Sequence, residues 1–252
     1  MRPRTLAAAL AAALLVASFL LAAVAFAGGS STRQPRLTVL AAASLTDVFP
    51  RVDSRARYSF GGSNMLAAQI EQGLPADVFA SANTGLPWQL HRKGLLTRPV
   101  VFTSNKLVIV VARGNPLDLH GVRNLERAGV KLVMAAAGVP VGDYTRKVLK
   151  RLGLSDLVDK AVSQETDVRE VLAKVVLGEA DAGFVYATDA KTVQGKVSLL
   201  GIPKAAQPRV LYAAAAVRSS KHLQAAKTWI QRLRGKRAQK KLRAAGFLPI
   251  PR

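Results

Sequence analysis

From Leu37 onward, short runs rich in β-branched, aliphatic and aromatic residues alternate with longer stretches whose apolar residues recur at helical spacing. That alternation confines the chain to a mixed α/β architecture. Leu37–Ala41, Tyr58–Phe60, Asp77–Ala80, Lys106–Val111, Val130–Met134, Ala182–Tyr186 and Leu211–Val217 read as strands. The unbroken apolar run from Leu107 to Val111 predicts burial on both faces. Helices are expected from Leu45 until Pro50 cuts the first one short, over Met65–Gln72 with Met65, Leu66 and Ile70 inward, and over Asn83–Lys93, Asp143–Leu152 and Val168–Leu177. Gly73, Gly94 and Gly153 stand where three of these should stop. A further helix follows Ser219 and Ser220, with Leu223, Ala226, Ile230 and Leu233 on one face and Trp229 beside it. Two lobes joined by crossings near Val111 and Val210 are expected, one from residues 36–110 with 212–252 and the other from 111–211.

The N-terminal segment bears on location. Arg2 and Arg4 precede an apolar run from Leu6 to Val24 broken only by Ser18, and Ala25-Phe26-Ala27 forms a small-x-small cleavage pattern. Residues 1–27 read as a secretory signal, with an uncleaved membrane anchor as the competing reading. Either places the folded part outside the cytoplasm, in the periplasm or cell envelope, tethered if the signal is uncleaved. The chain carries 37 Lys and Arg against 15 Asp and Glu, a formal charge of +22. Losing Arg2 and Arg4 leaves 22 − 2 = +20 on the rest.

Such charge raises nucleic acid as a partner, centred on Arg232, Arg234, Lys236, Arg237, Lys240, Lys241 and Arg243. These cations fall mostly on the outer face of helical stripes, with few aromatics among them to stack on bases. A solvated face is the simpler reading, and export argues against DNA. Attraction to anionic envelope polymers or lipid stays open.

Enzyme signals are weak. His91, His120 and His222 stand far apart without metal-ligand spacing, there is no cysteine, and neither GxSxG, GxxxxGK[ST] nor GxGxxG occurs. Asp47, Asp77 and Asp189 each have a local role available at a helix start or turn. No catalytic residue, metal site or cofactor is expected.

Small or polar residues do gather where strands end and helices begin: Ser44, Gly61-Gly62-Ser63, Val141-Gly142 and Val168, with Tyr186 closing a strand. Such junctions collect backbone N–H groups without helical partners and feel the positive end of the helix dipole, so they bind anions. In open α/β folds they line the crevice at the carboxyl ends of strands. Singly, each residue is also explained as a cap, a turn former or a core-edge aromatic.

The segment Val39-Leu40-Ala41-Ala42-Ala43-Ser44-Leu45-Thr46-Asp47 resembles the opening motif of the molybdate-binding proteins of molybdate ABC importers. The likeness continues through Tyr58–Ser63, Leu66–Ser81, Val139–Tyr144, Asp167-Val168-Arg169, Gly178–Ala190 and Ala244–Pro249, covering most of residues 36–250. The resemblance implies a type II periplasmic-binding-protein fold, two α/β lobes with a hinge and an interlobe cleft for a tetrahedral oxyanion. It places the ligand on Ser44, Ser63, Val141, Val168 and Tyr186, the valines acting through their main chain. The implied ligand is molybdate, and with it tungstate, so that metal enters only as oxyanion. The implied partners are the permease and ATPase subunits of the importer, and the protein is expected to be a monomer.

Neutral donors suit a fully ionised dianion, since they replace its water shell without a charge of their own. The segment Val48–Arg57 is shorter than in the family, trimming the first lobe beside Ser44. Three other readings are a receptor for sulfate or another oxyanion, an exported enzyme using Ser44 or Tyr186, and a polyanion-binding envelope protein.

Overall fold

The computed structural model describes residues 35–251, and the export signal expected at 1–27 lies outside the described residues. The alternation of strands and helices builds two five-stranded sheets. In the first, β1 (Thr38–Ala42), β2 (Arg57–Gly61), β3 (Val78–Ser81), β4 (Val100–Asn105) and β10 (Val210–Ala216) run in the order β2-β1-β3-β10-β4. Strand β1 lies parallel to β2 and β3, and β10 runs antiparallel between β3 and β4. In the second, β5 (Leu107–Ala112), β6 (Leu132–Ala135), β7 (Ser163–Glu165), β8 (Ala182–Tyr186) and β9 (Val197–Leu200) run in the order β7-β6-β8-β5-β9. Here β6 is parallel to β7 and β8, and β5 is antiparallel to β8 and β9. Each lobe therefore holds three parallel strands whose carboxyl ends open on one edge, the edge where α/β sheets bind ligands.

Helices α1 (Phe49–Val52), α2 (Ser63–Glu71), α3 (Gly85–Arg92), α4 (Pro140–Leu152), α5 (Val168–Val176), α6 (Ala187–Thr192), α7 (Leu223–Leu233) and α8 (Lys236–Ala244) cover the sheets. Local chemistry sets their ends. Asp167 caps α5 by accepting from the N–H groups of Arg169 (2.6 Å) and Glu170 (3.2 Å), and Val168, Val171, Leu172 and Val175 form its buried stripe. Pro140 occupies the first position of α4, where its missing N–H costs nothing, and Gly153 closes it in the left-handed conformation at φ 69°. In the first lobe Phe49 meets Trp229 edge-on at 5.5 Å, and the Trp229 indole N–H donates to Asp53 at 3.1 Å.

Several expectations are corrected. The first crossing lies at Lys106 rather than near Val111. Strand β5 pairs with β8 and β9, so residues 107–110 belong to the second lobe. An all-apolar run announces burial but does not say in which sheet. Pro50 is the second residue of the short helix α1 rather than the end of a longer one, and Ser44 lies in a separate 3₁₀ turn, Ala43–Leu45. Met65 faces outward at 45% exposure, while α2 packs through Leu66, Ala67 and Ile70. Helix α4 starts three residues earlier than expected, and Trp229 joins the buried face of α7. The edge or polar strands β4, β7 and β9 carried too little alternation to be read.

Candidate functional site

Six strand ends converge on one small cavity. It is lined by Ala42–Ser44 after β1, Gly61–Ser63 after β2, Ala82 after β3, Val139–Val141 after β6, Asp167-Val168 after β7, and Tyr186 at the end of β8. All five residues singled out from the sequence, Ser44, Ser63, Val141, Val168 and Tyr186, are among them and all are buried. The cavity volume is about 10 Å³, far below the range of roughly 300–1,000 Å³ usual for drug-sized ligands. A small polyatomic ion is the appropriate scale.

Several hydrogen-bond donors are open to this space. Val141 and Val168 sit in the first turns of α4 and α5, ahead of the i→i−4 ladder, so their N–H groups have no helical acceptor. The Asp167 cap serves Arg169 and Glu170 and leaves Val168 open. No side chain caps α4. Gly142 lets this helix start press against β6: a Cβ there would lie 2.3 Å from the Ala136 carbonyl oxygen and 2.4 Å from that of Ala135. Ser63 Oγ accepts from the Ala82 N–H at 3.1 Å, which leaves its own hydrogen for the cavity. The Tyr186 hydroxyl is buried and finds no hydrogen-bond partner among the described residues. Burial pushes its pKa well above the ordinary tyrosine value, so it remains a neutral donor.

The lining contains no Lys, Arg or His, and its one carboxylate, Asp167, is engaged in capping. With a buried phenol and two helix starts aimed inward, the cavity offers hydrogen bonds and dipoles to an anion without a formal cation. Among the described residues no group of three or more His, Asp or Glu is placed to hold a metal ion.

The lobes touch beside the cavity. Gly62 approaches the Thr166 main chain so closely that a Cβ would lie 2.4 Å from its carbonyl oxygen. Arg169 of the second lobe donates to Asp47 of the first, and also to Asp189 at 2.7 Å. Asp189 is fully buried, and desolvation raises its pKa to about 6, with the Arg169 guanidinium opposing that shift. Asp47 lies in the turn before α1 and Asp189 in the first turn of α6, as expected, and each also takes Arg169 as a partner distant in sequence. Asp77 likewise accepts from the Thr38 N–H and from Ser220, tying β1 to the segment after β10.

Sequence reasoning missed Tyr212. Its hydroxyl lies 2.8 Å from Ser44 Oγ and 3.5 Å from Asn105 Nδ2, deep under the cavity. Its only signal was a phenol in the otherwise aliphatic strand Leu211–Val217.

Residues 37–248 match the family model of bacterial extracellular solute-binding proteins. A molybdate-binding protein, ModA, of Mycobacterium tuberculosis is 34% identical over 221 residues, covering 84% of each chain. The solved Azotobacter vinelandii periplasmic molybdate-binding protein superposes with a TM-score of 0.76 at 22% identity, over 86% of this chain and all of that one. The sulfate-binding protein SubI of Mycobacterium tuberculosis gives 0.75 at 19% identity, over 86% and 87%. At such identities the structures establish the shared two-lobed fold, whereas the family match rests on sequence over most of the chain. With its paired sheets and interlobe cavity, the chain belongs to the bacterial extracellular solute-binding proteins.

Proposed function

We propose that this protein is the extracytoplasmic receptor of an ABC importer and that it captures molybdate, with tungstate as the second ligand. The observation that carries this reading is the buried cavity at the meeting of six strand ends, free of Lys, Arg and His and faced by hydroxyl groups and open helix-start N–H groups. Ser44, Ser63 and Tyr186 would give hydroxyl hydrogens, and Val141 and Val168 main-chain N–H groups. The family match and the molybdate-binding relative support the same assignment. The oxyanion is cargo, and the site needs no cofactor and performs no covalent chemistry.

The physical logic follows from the donors. A tetrahedral dianion gives up its water shell on entry, and hydrogen bonds to charged groups, worth about 1.5–3 kcal/mol each, replace it. Helix starts supply the remaining field. Size separates molybdate and tungstate from the smaller sulfate, whose oxygens would leave some donors unpaired. Hydrogen phosphate is disfavoured differently, because its proton meets another donor.

Lobe closure through Gly62–Thr166 and Asp47–Arg169 encloses the ion. Opening at the membrane then releases it to permease and ATPase subunits, with the receptor acting as a monomer in the periplasm or cell envelope. The positive surface speeds anion arrival.

Thermal unfolding at constant ionic strength with molybdate, tungstate, sulfate and phosphate tests this. Ligand at one hundred times its dissociation constant adds about 2.7 kcal/mol, or roughly 5–10 °C for a chain of this size. Stabilisation by molybdate and tungstate alone is expected. Stabilisation by sulfate alone would make it a sulfate receptor, and no response to any anion would refute the oxyanion reading.

A further inference from the structure

We propose that Tyr212 sets the hydrogen-bond polarity of the cavity by donating to Ser44 and so fixing Ser44 as a donor to the ligand. This rests on the oxyanion reading above, and makes Tyr212 a positioning residue that acts through Ser44.

The direction of the chain follows from its far end. The Lys106 N–H donates to Asn105 Oδ1 at 3.0 Å, which orients the Asn105 amide. Its NH₂ group then faces Thr188 Oγ1 at 2.8 Å and Tyr212 Oη at 3.5 Å. An amide nitrogen cannot accept, so the Tyr212 hydrogen cannot point toward it. The remaining partner of Tyr212 is Ser44 Oγ at 2.8 Å. Ser44 therefore accepts from Tyr212, and its own hydrogen turns to the open side, which is the cavity.

The fold holds this arrangement rigidly. Tyr212 is fully buried, and its ring meets Phe102, Phe247 and Tyr186. The β10–β4 register slips between Tyr212 and Ala213, a bulge that places Phe102 as the extra residue and re-aims the local side chains. Asn105 and Tyr212 lie on strands next to the two lobe crossings, and Thr188 belongs to the second lobe. The polarity of the site is thus fixed by the hinge region.

The consequence is discrimination by protonation. A Ser44 hydroxyl free to rotate can turn its hydrogen away and present a lone pair to a protonated oxyanion, whereas one held by Tyr212 presents its hydrogen to the cavity and disfavours a ligand that also brings a proton. Sulfate and hydrogen phosphate are close in size and differ by a proton, so their affinity ratio reports the polarity.

Competition titrations against molybdate near neutral pH, on the full parent chain and on Tyr212→Phe, measure it. In Tyr212→Phe molybdate and sulfate should bind about tenfold more weakly, phosphate should change less, and the sulfate-to-phosphate ratio should narrow by up to about tenfold. In a Ser44→Ala background the same change should leave that ratio unaltered. An unchanged ratio in Tyr212→Phe, or an equal shift without the Ser44 hydroxyl, would overturn the proposal. If Tyr212→Phe fails to fold, Asn105→Asp reads the same property, since a carboxyl oxygen at position 105 can take the Tyr212 hydrogen and leave Tyr212 to accept from Ser44, and the ratio should again narrow. A parent chain that binds no oxyanion removes the functional reading, and this proposal with it. A parent that binds normally while the ratio stays fixed in the variants removes this proposal alone.

Discussion

Replacing Gly62 by alanine should separate ligand binding from folding. The added Cβ would lie 2.4 Å from the Thr166 carbonyl oxygen and 2.9 Å from Asn64 Oδ1. The asparagine side chain can turn away. Thr166 cannot, because its N–H and hydroxyl are held by Glu170 and the neighbouring Glu165 carbonyl is bonded to Ala136 N–H. Ordinary contact begins near 3.4 Å, so the second lobe must recede by about 1 Å. Val168 follows Thr166 by two residues and would move with it. A hydrogen bond stretched by that distance is lost. Losing one or two bonds to a charged ligand costs about 2–4 kcal/mol, or roughly 30- to 1,000-fold in affinity. Gly62 itself has φ −59° and ψ 130°, which alanine adopts without strain, so the ligand-free protein should be as stable as the parent or slightly more so. Calorimetric titration with molybdate and ligand-free thermal unfolding give the two quantities. Parent-like affinity in Gly62→Ala would refute the claim that this closed approach of the lobes makes the ligand's hydrogen bonds.

Three further outcomes are expected. Tyr186→Phe should weaken molybdate binding by about 10- to 100-fold while leaving ligand-free stability unchanged or higher, because the hydroxyl is buried without a partner; a large loss of ligand-free stability would argue for a structural role instead. Asp47→Asn removes the ion pair between lobes, and since Asp47 is 44% exposed the effect should be a few-fold faster ligand release with the ranking of oxyanions unchanged, measured by stopped-flow. The raised pKa of Asp189, about 6 against 3.8, means that the folded state binds a proton more readily than the unfolded one. The stability of the parent relative to Asp189→Asn should therefore fall as pH rises from about 4 to 6, and a constant difference across denaturation curves in that range would contradict the assignment.

The architecture and much of the cavity were legible along the chain for a physical reason. A strand, a small or polar residue and a helix start are local patterns, so Ser44, Ser63, Val168 and Tyr186 could be placed at junctions before any contact was known. Val141 was legible as part of a turn, although the structure makes it the second residue of a helix that Pro140 begins. Features that depend on pairing between distant segments were not legible. The sheet to which β5 belongs, the bulge that aims Tyr212, and the union of Asp47 with Arg169 across 122 residues follow from register and lobe packing. The basic segment on α8 reads the same way in both views, with Ala238 and Leu242 buried and most of its cations outward.

The most direct test of the central claim is a crystal structure of the protein grown with tungstate, located by its anomalous scattering. The account predicts one strong peak inside the cavity, with oxygens within hydrogen-bond distance of Ser44, Ser63 and Tyr186 hydroxyls and of the Val141 and Val168 nitrogens. A peak on the basic outer surface with the cavity empty would contradict it.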